Sequence, residues 1–232
     1  SRKTLIYNHP ITEDLEPETH QLVVPVGGEY TLILSDGTKI YLNAATSIAY
    51  PSRFTGATRE VTLSGEAFFE VAPDSEHPFI VHTGDILTRV TGTSFNINAY
   101  PHDRKVVTTL VEGGVQSFWN GQYIELSPGK QVVHNLKTQQ TYQHSVDTEY
   151  YSSWKDGYYI FDNMELEELM SNLSLWYGLN VVYQDPEVKN IHFSGRLKRY
   201  DYIEPLLERF EYTRDVRFVI QDNMIKIEKY TD

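Results

Sequence analysis

Few residues in this chain are of a type and spacing to do chemistry. Glu66 and Glu70 share one face of the stretch Arg59–Val71, REVTLSGEAFFEV, with Phe68 between them. Two carboxylates can work as an acid–base pair when a cleft splits their pKa values. Four residues of strand rise set these two about 13 Å apart, too far for a glycosidase pair, so exposed strand charges are the expectation. His77, His82 and His102 flank strands without the i, i+4 or short-loop spacing that gathers metal ligands. They are expected to be surface histidines, and neither a metal nor a cofactor is expected. No G-x-S-x-G, H-E-x-x-H or P-loop pattern occurs. With no cysteine, disulfides, thiolate metal sites and Cys nucleophiles are excluded. Asn172-Leu173-Ser174 matches a glycosylation acceptor but falls inside a predicted helix. The expectation is a protein that is not an enzyme.

These residues are positioned by a chain of 232 residues, long for one core and comfortable for two domains. Aromatic residues make up 13%, 17 of them Tyr, and supply large burial per residue. A net charge of −12 argues against nucleic acid as a partner, since phosphate backbones require clustered cations. No segment approaches eighteen apolar residues, so none is expected to span a bilayer.

Within Arg59–Val71 the odd positions carry Val61, Leu63, Gly65, Ala67, Phe69 and Val71, the period of a strand with one buried face. Gly65 is where that strand bends or lets another backbone approach. Short strands with turn signals about every ten residues follow on both sides, among them Val106–Val111, Val115–Trp119, Tyr123–Leu126 and Gln131–His134. This spacing predicts a β-sandwich or jelly-roll-like domain over 24–137, after a lead-in of 1–23 without periodicity. Between Ile86 and Ala99 the apolar phase slips by one residue, and Gly92-Thr93 sits at the slip, where a β-bulge would absorb it.

Residues 138–153 are polar and read as a connector. From 154 the period becomes 3.6: Leu166, Leu169, Met170, Leu173, Trp176 and Tyr177 form one helical stripe, with Asp162 or Asn163 as cap and Gly178 as terminator. Ile203, Leu206, Leu207 and Phe210 form a second, with Asp201 and Glu204 as a capping box. A hairpin, Val216–Ile220 and Met224–Glu228, turns at Asp222-Asn223. The fold class is thus mainly β plus α+β, with a small βαβ-repeat domain over 154–232.

The first domain resembles the FecR family of periplasmic sigma-factor regulators through DGTKIYLNAATSIAYP (Asp36–Pro51), REVTLSGEAFFEV, PFIVHTGDI (Pro78–Ile86), VTGTSFNI (Val90–Ile97) and LVEGGVQ (Leu110–Gln116). The last domain, with its W-K-x-G-x-x-x-F start at Trp154, is similar to the module that follows in Bacteroidetes members, itself like the short N-terminal domains of secretins and TonB-dependent transporters. In the family a cytoplasmic anti-sigma segment and one transmembrane helix, both missing here, precede these domains. The resemblance implies the periplasmic part of a single-pass inner-membrane protein, touching the membrane through that helix. It would receive the signalling domain of an outer-membrane TonB-dependent transducer and relay the signal, through the cytoplasmic segment, to an ECF sigma factor. Some FecR-like regulators cleave themselves at a matching Gly-Thr by a route resembling an N-to-O acyl shift. Gly92 and Thr93 are the candidates here, with a plain structural bulge as the alternative.

Two further readings rest on the residues. Val216–Glu228 is expected at a sheet edge, bracketed by Arg214, Arg217, Lys226 and Lys229, which suits strand addition by an acidic partner; edge-guarding charges are the alternative. A carbohydrate-binding β-sandwich is the competing function, with Phe68, Trp119 and Tyr123 stacking on sugar rings.

Overall fold

The computed structural model describes residues 3–6, 17–199 and 202–231 and divides into two units between Ser152 and Ser153. The first unit holds β1 (Lys3–Ile6), β2 (Thr19–Val23), β3 (Tyr30–Ile33), β4 (Lys39–Leu42), β5 (Ser47–Pro51), β6 (Arg59–Glu70) and β7 (Phe79–Thr83). It continues with β8 (Ile86–Val90), β9 (Ser94–Ala99), β10 (Lys105–Glu112), β11 (Val115–Trp119), β12 (Gln122–Leu126), β13 (Lys130–Asn135), β14 (Gln140–Ser145) and the single turn α1 (Glu149–Ser152).

The alternating stretch is the twelve-residue β6, and the unit is organised on it. Its first half pairs with β5 and, in parallel, with β7, in a sheet that continues through β8 and β11 to β12 and has β2 at its other edge. Its second half pairs with β4 and β9, in a sheet running from β1 and β3 through β10 and β13 to β14. One strand therefore serves both layers, and the change-over falls at Gly65. There φ is +109°, and a Cβ would stand 2.5 Å from Thr46 Oγ1 and 2.7 Å from Thr46 Cα. Both the backbone angle and the closeness of Thr46 require glycine. The inward residues of both layers, from Leu32, Ile40 and Phe69 to Val81, Val115 and Trp119, form one core. Inside it Phe69 stacks on Phe95 with ring centroids 4.9 Å apart.

Three expectations change. The slip at Gly92-Thr93 is not a bulge within one strand: β8 belongs to one sheet and β9 to the other, and the chain crosses between them. Crossing a sandwich reverses which phase faces the core, as a bulge would, because the two layers present opposite faces inward. In the supposed lead-in, Lys3–Ile6 pairs in parallel with β3 and Thr19–Val23 antiparallel with β5. Gln140–Ser145, placed in the connector, pairs with β13 along its whole length. All three are edge strands with mostly exposed side chains, so their sequences carry no apolar alternation to read.

The second unit contains β15 (Tyr158–Glu165), α2 (Leu166–Tyr177), β16 (Asn180–Tyr183), β17 (His192–Lys198), α3 (Glu204–Glu211), β18 (Val216–Gln221) and β19 (Met224–Lys229). α2 buries Leu166, Leu169, Met170, Leu173 and Trp176, the stripe its period predicts. It ends at Gly178 in the left-handed conformation, whose N–H donates to Ser174 O. Its cap is Glu165 rather than Asp162 or Asn163, because β15 runs on past an irregularity at those two residues. α3 carries Pro205 in its first turn and buries Leu207 and Phe210; the proposed cap Asp201 lies outside the described residues. β15 pairs antiparallel with β17, while β19 lies between β16, parallel, and β18, antiparallel. Phe210 joins the two sheets, its ring 4.5 Å from that of Phe193 and 6.2 Å from that of Phe218.

Candidate functional site

Glu66 and Glu70 project from β6 toward neighbouring strands. Asn43 donates to Glu66 Oε2 at 2.7 Å and Asn96 to Glu66 Oε1 at 2.9 Å, so both oxygens are engaged by amides. Glu70 accepts from the Tyr41 hydroxyl at 3.3 Å. The carboxylates tie strands together and do not converge on a cleft. The three histidines each lie against a different carboxylate, His77 on Asp74, His82 on Glu60 and His102 on Asp103. They are not gathered. Asn172, half-buried, donates to the Tyr159 hydroxyl at 2.7 Å.

Of the aromatic trio, Phe68 is 2% exposed and Trp119 5%. Neither can stack on a ligand. Tyr123 is open, with its ring 5.1 Å from Phe118 and its hydroxyl bonded to Glu125 and Gln116.

Gly92 and Thr93 occupy the crossing between β8 and β9. Gly92 has φ +150°, and a Cβ there would lie 3.0 Å from Pro73 Cα. The buried Thr93 hydroxyl donates to Gly114 O at 2.9 Å and accepts from Gly114 N–H at 3.4 Å. Gly113, at φ +93°, passes so close that a Cβ would meet Gly92 O and Thr93 Oγ1 at 2.8 Å. Two glycine-bearing turns thus lock together, and the hydroxyl that would attack the Gly92 carbonyl is held on a backbone carbonyl instead.

Two buried polar residues were passed over in the sequence. Arg59 occupies an inward position of β6. Its guanidinium donates to Asp36 Oδ2 at 2.6 Å, to His77 O at 2.7 Å and to Ala72 O at 2.9 Å, fixing the loop that follows β6. His134, 1% exposed on β13, faces Ser117 Oγ on β11 at 2.7 Å and Thr141 Oγ1 at 2.9 Å. A Ser–His contact of this length suggests a nucleophile, yet Ser117 is itself 1% exposed, and no substrate reaches it. The pair instead links the two sheets across the core. Burial pushes the imidazole pKa down to about 4, so the ring is neutral. The signal for both residues was phase: each is polar at a position where its strand turns inward.

In the second unit the four hairpin cations do not form one patch. Arg217 and Lys226 share the outer face of the β18–β19 pair, Arg217 standing 3.9 Å from Glu228 and Lys226 donating to Gln221 at 2.9 Å. Lys229 falls in the phase of the buried Ile225 and Ile227 and stands 4.0 Å from Glu187. Arg214 sits in the turn before β18 at φ +57°. β18 is an edge strand, but its Phe218 N–H already donates to Glu211 Oε1 at 2.6 Å.

A different set of cations comes together elsewhere in the same unit. Arg196 and Lys198 of β17 and Arg209 of α3 line a cleft of about 270 Å3 with Tyr158, Tyr177 and Tyr202. Arg196 lies 4.3 Å over the Tyr158 ring. Sequence reading missed this cluster because its cations come from a strand and a helix, with Arg209 11 residues beyond Lys198, that only the fold places side by side.

Among the described residues no helix is long and apolar enough to cross a membrane, and no group of three or more carboxylates and histidines could hold a metal ion.

Comparison with known proteins places this arrangement. The model of the FecR protein family matches residues 20–116, and that of the FecR C-terminal region matches 158–227. Two crystal structures of a provisionally assigned anti-sigma factor from Parabacteroides distasonis have the same fold. One is 28% identical, with a TM-score of 0.84 over 91% of this chain; the other is 27% identical, with 0.83 over 92%, and in each the whole of that chain is covered. No curated protein matches the chain. With both FecR regions present in order and together spanning more than two thirds of its length, the chain belongs to the FecR family.

Proposed function

We propose that this chain is the periplasmic, signal-receiving region of a sigma-factor regulator. In this reading it meets the signalling domain of an outer-membrane TonB-dependent transducer. It passes the signal to an ECF sigma factor through a membrane helix and a cytoplasmic anti-sigma segment. The observation that carries the reading is the order of the two FecR regions on one chain, in a fold shared along its length with the anti-sigma structures. The residues are in keeping with it. The charged and hydroxyl side chains that could suggest catalysis are tied into strand-to-strand hydrogen bonds, and the chain's openness lies in strand edges and a cationic cleft. The carbohydrate reading loses its support with the burial of Phe68 and Trp119.

The receiving surface belongs, on this proposal, to the second unit. The hairpin cations Arg214, Arg217, Lys226 and Lys229 are one candidate surface. The experiment is a pull-down of this chain with the signalling domains of TonB-dependent transporters encoded beside it, repeated with Arg217→Glu/Lys226→Glu. Retention of a signalling domain by the wild-type chain is expected. Failure of every such domain to bind refutes the reading. Loss of binding in the double variant with an unchanged Tm assigns the contact to the hairpin.

A further inference from the structure

The two-stranded sheet of the second unit has an edge with unusual properties. Arg199 N–H donates to Gly157 O at 2.9 Å, and Tyr159 lies opposite Leu197 and Phe161 opposite Gly195. In an antiparallel ladder successive residues turn their backbone groups to opposite sides. Residues 195, 197 and 199 therefore face β15, and Ser194, Arg196 and Lys198 present N–H and C=O to the other edge. Among the described residues no second strand pairs with β17.

The residues with outward backbone groups also carry the charge. Arg196 and Lys198 are exposed and stand on the cleft that Arg209, Tyr158, Tyr202 and Pro205 complete. Among the described residues no hydrogen bond or ion pair engages the side chains of Lys198 or Arg209, and Arg196 has the Tyr158 ring as a contact. This is in a chain with 32 acidic residues against 20 basic ones, where carboxylates to pair with are plentiful. Charges that only guard an edge against aggregation work on a flat, hydrated rim. Here three cations line a concave site together with tyrosines, which bury well at interfaces while keeping a polar tip in water.

We infer that β17 is an acceptor edge: an extended, acidic segment of a partner protein adds to it as a strand, with alternate carboxylates in the cleft between Arg196, Lys198 and Arg209. The inference rests on the reading of the second unit as a receiver, and it places the contact on the sheet away from the β18–β19 hairpin. Backbone pairing supplies affinity without regard to sequence, and the alternate side chains supply selectivity. Opposite charge raises the encounter rate and makes it salt-dependent.

The test uses the whole chain and two probes. The first is a synthetic octapeptide alternating Glu with Val, with a Thr-for-Glu version as control; the second is the signalling domain of the neighbouring transporter. Titration at low salt is expected to show the Glu peptide binding about tenfold or more tighter than the Thr peptide. Arg196→Glu/Arg209→Glu is expected to abolish that preference. Lys198→Pro removes an outward N–H, a backbone donor that an edge strand can lose without breaking its own ladder. It is expected to weaken the peptide well beyond Lys198→Ala while leaving Tm within a few degrees. Equal binding of the Glu peptide to wild type and to the double Glu variant overturns the inference, as does no binding to wild type. Equal binding to Lys198→Pro and Lys198→Ala overturns strand addition. If the peptide behaves as expected but no signalling domain binds, the receiver reading falls and the acceptor edge stands. If the signalling domain binds and Arg196→Glu/Arg209→Glu leaves it within about twofold, the receiver reading stands and this site is wrong.

Discussion

Lowering the pH should loosen the first unit through a single residue, His134. Its ring is 1% exposed, bridges Ser117 on β11 and Thr141 on β14, and lies against Trp119 at 5.3 Å. Each ring nitrogen has one hydroxyl partner, so the neutral ring is satisfied with one N–H donating and the other nitrogen accepting. A second proton would turn both nitrogens into donors in a core that has no carboxylate on them. Burial accordingly pushes the pKa down from 6.5 to about 4. The sign follows from proton counting. Between these two values the unfolded chain binds a proton that the folded chain refuses, so stability rises with pH across the window. It is complete above about pH 6.5 and drains away as pH falls toward 4. A difference of that size amounts to about 3 kcal/mol at the lower end and about 2 kcal/mol at pH 5. The assay is urea unfolding of wild type and His134→Gln at steps from pH 7.5 to pH 5. Glutamine keeps one donor and one acceptor but does not titrate. The variant should start less stable at pH 7.5, and the gap should close by about 2 kcal/mol on the way to pH 5. The exposed His77 and His102 and the half-buried His82 remain in both proteins and cancel in the difference. A gap that stays constant with pH would mean that the buried ring takes up its proton at the ordinary value, and the argument from burial would be refuted.

Three further outcomes are expected. Gly65→Ala forces a Cβ into Thr46 at a backbone angle L residues avoid, and should cost about 3 kcal/mol or more, read as a fall in Tm; an unchanged Tm would show that β6 can pass between sheets without glycine. Arg59→Met leaves the Asp36 carboxylate without its counter-ion, with Thr38 still donating to it, and frees the loop carbonyls of Ala72 and His77, for a loss of about 3 kcal/mol in chemical denaturation. Adding Asp36→Asn should restore part of it, and strict additivity would deny the pair. For Gly92-Thr93, intact-mass measurement over a day at 37 °C should give the full-length chain alone, since the Thr93 hydroxyl is held on Gly114 O. A barrier of about 22–24 kcal/mol corresponds to half-lives of about half an hour to half a day at 25 °C, and to shorter ones at 37 °C, and fragments absent from Thr93→Ala would establish the acyl shift.

What could be read from the sequence, and what could not, divides along a physical line. Patterns that come from one element facing one core are local, and they were legible: the alternation of β6, the stripe of α2 and its glycine stop. Gly65 was legible as a special position, but its task was not. A positive φ and a close approach have the same sequence signature whether a strand bends or passes from one layer to another. The Gly92-Thr93 slip carries the same ambiguity, because changing sheets and inserting a residue both shift the apolar phase by one. Strands that face solvent on both sides, such as Gln140–Ser145, are specified by the backbone of the neighbour they pair with, and their own side chains say little.

The candidate site was hidden for a related reason. Cations bracketing the last hairpin stood out because they are close in sequence, yet the register separates them: Arg217 and Lys226 share a face with Glu228 and Gln221 near at hand, and Lys229 is turned the other way. Arg196 and Lys198 look ordinary in the run HFSGRLK, since alternating cations on an edge strand are the common way to keep such strands soluble. What distinguishes them is tertiary. α3 brings Arg209 to the same cleft, Tyr158 gives Arg196 a ring to rest on, and the antiparallel ladder turns the backbone of both residues away from β15. A binding edge and a guarded edge are thus written in the same residues. They differ in whether the charges line a concavity and whether carboxylates of the described residues pair with them, and on both counts this one has the form of a site.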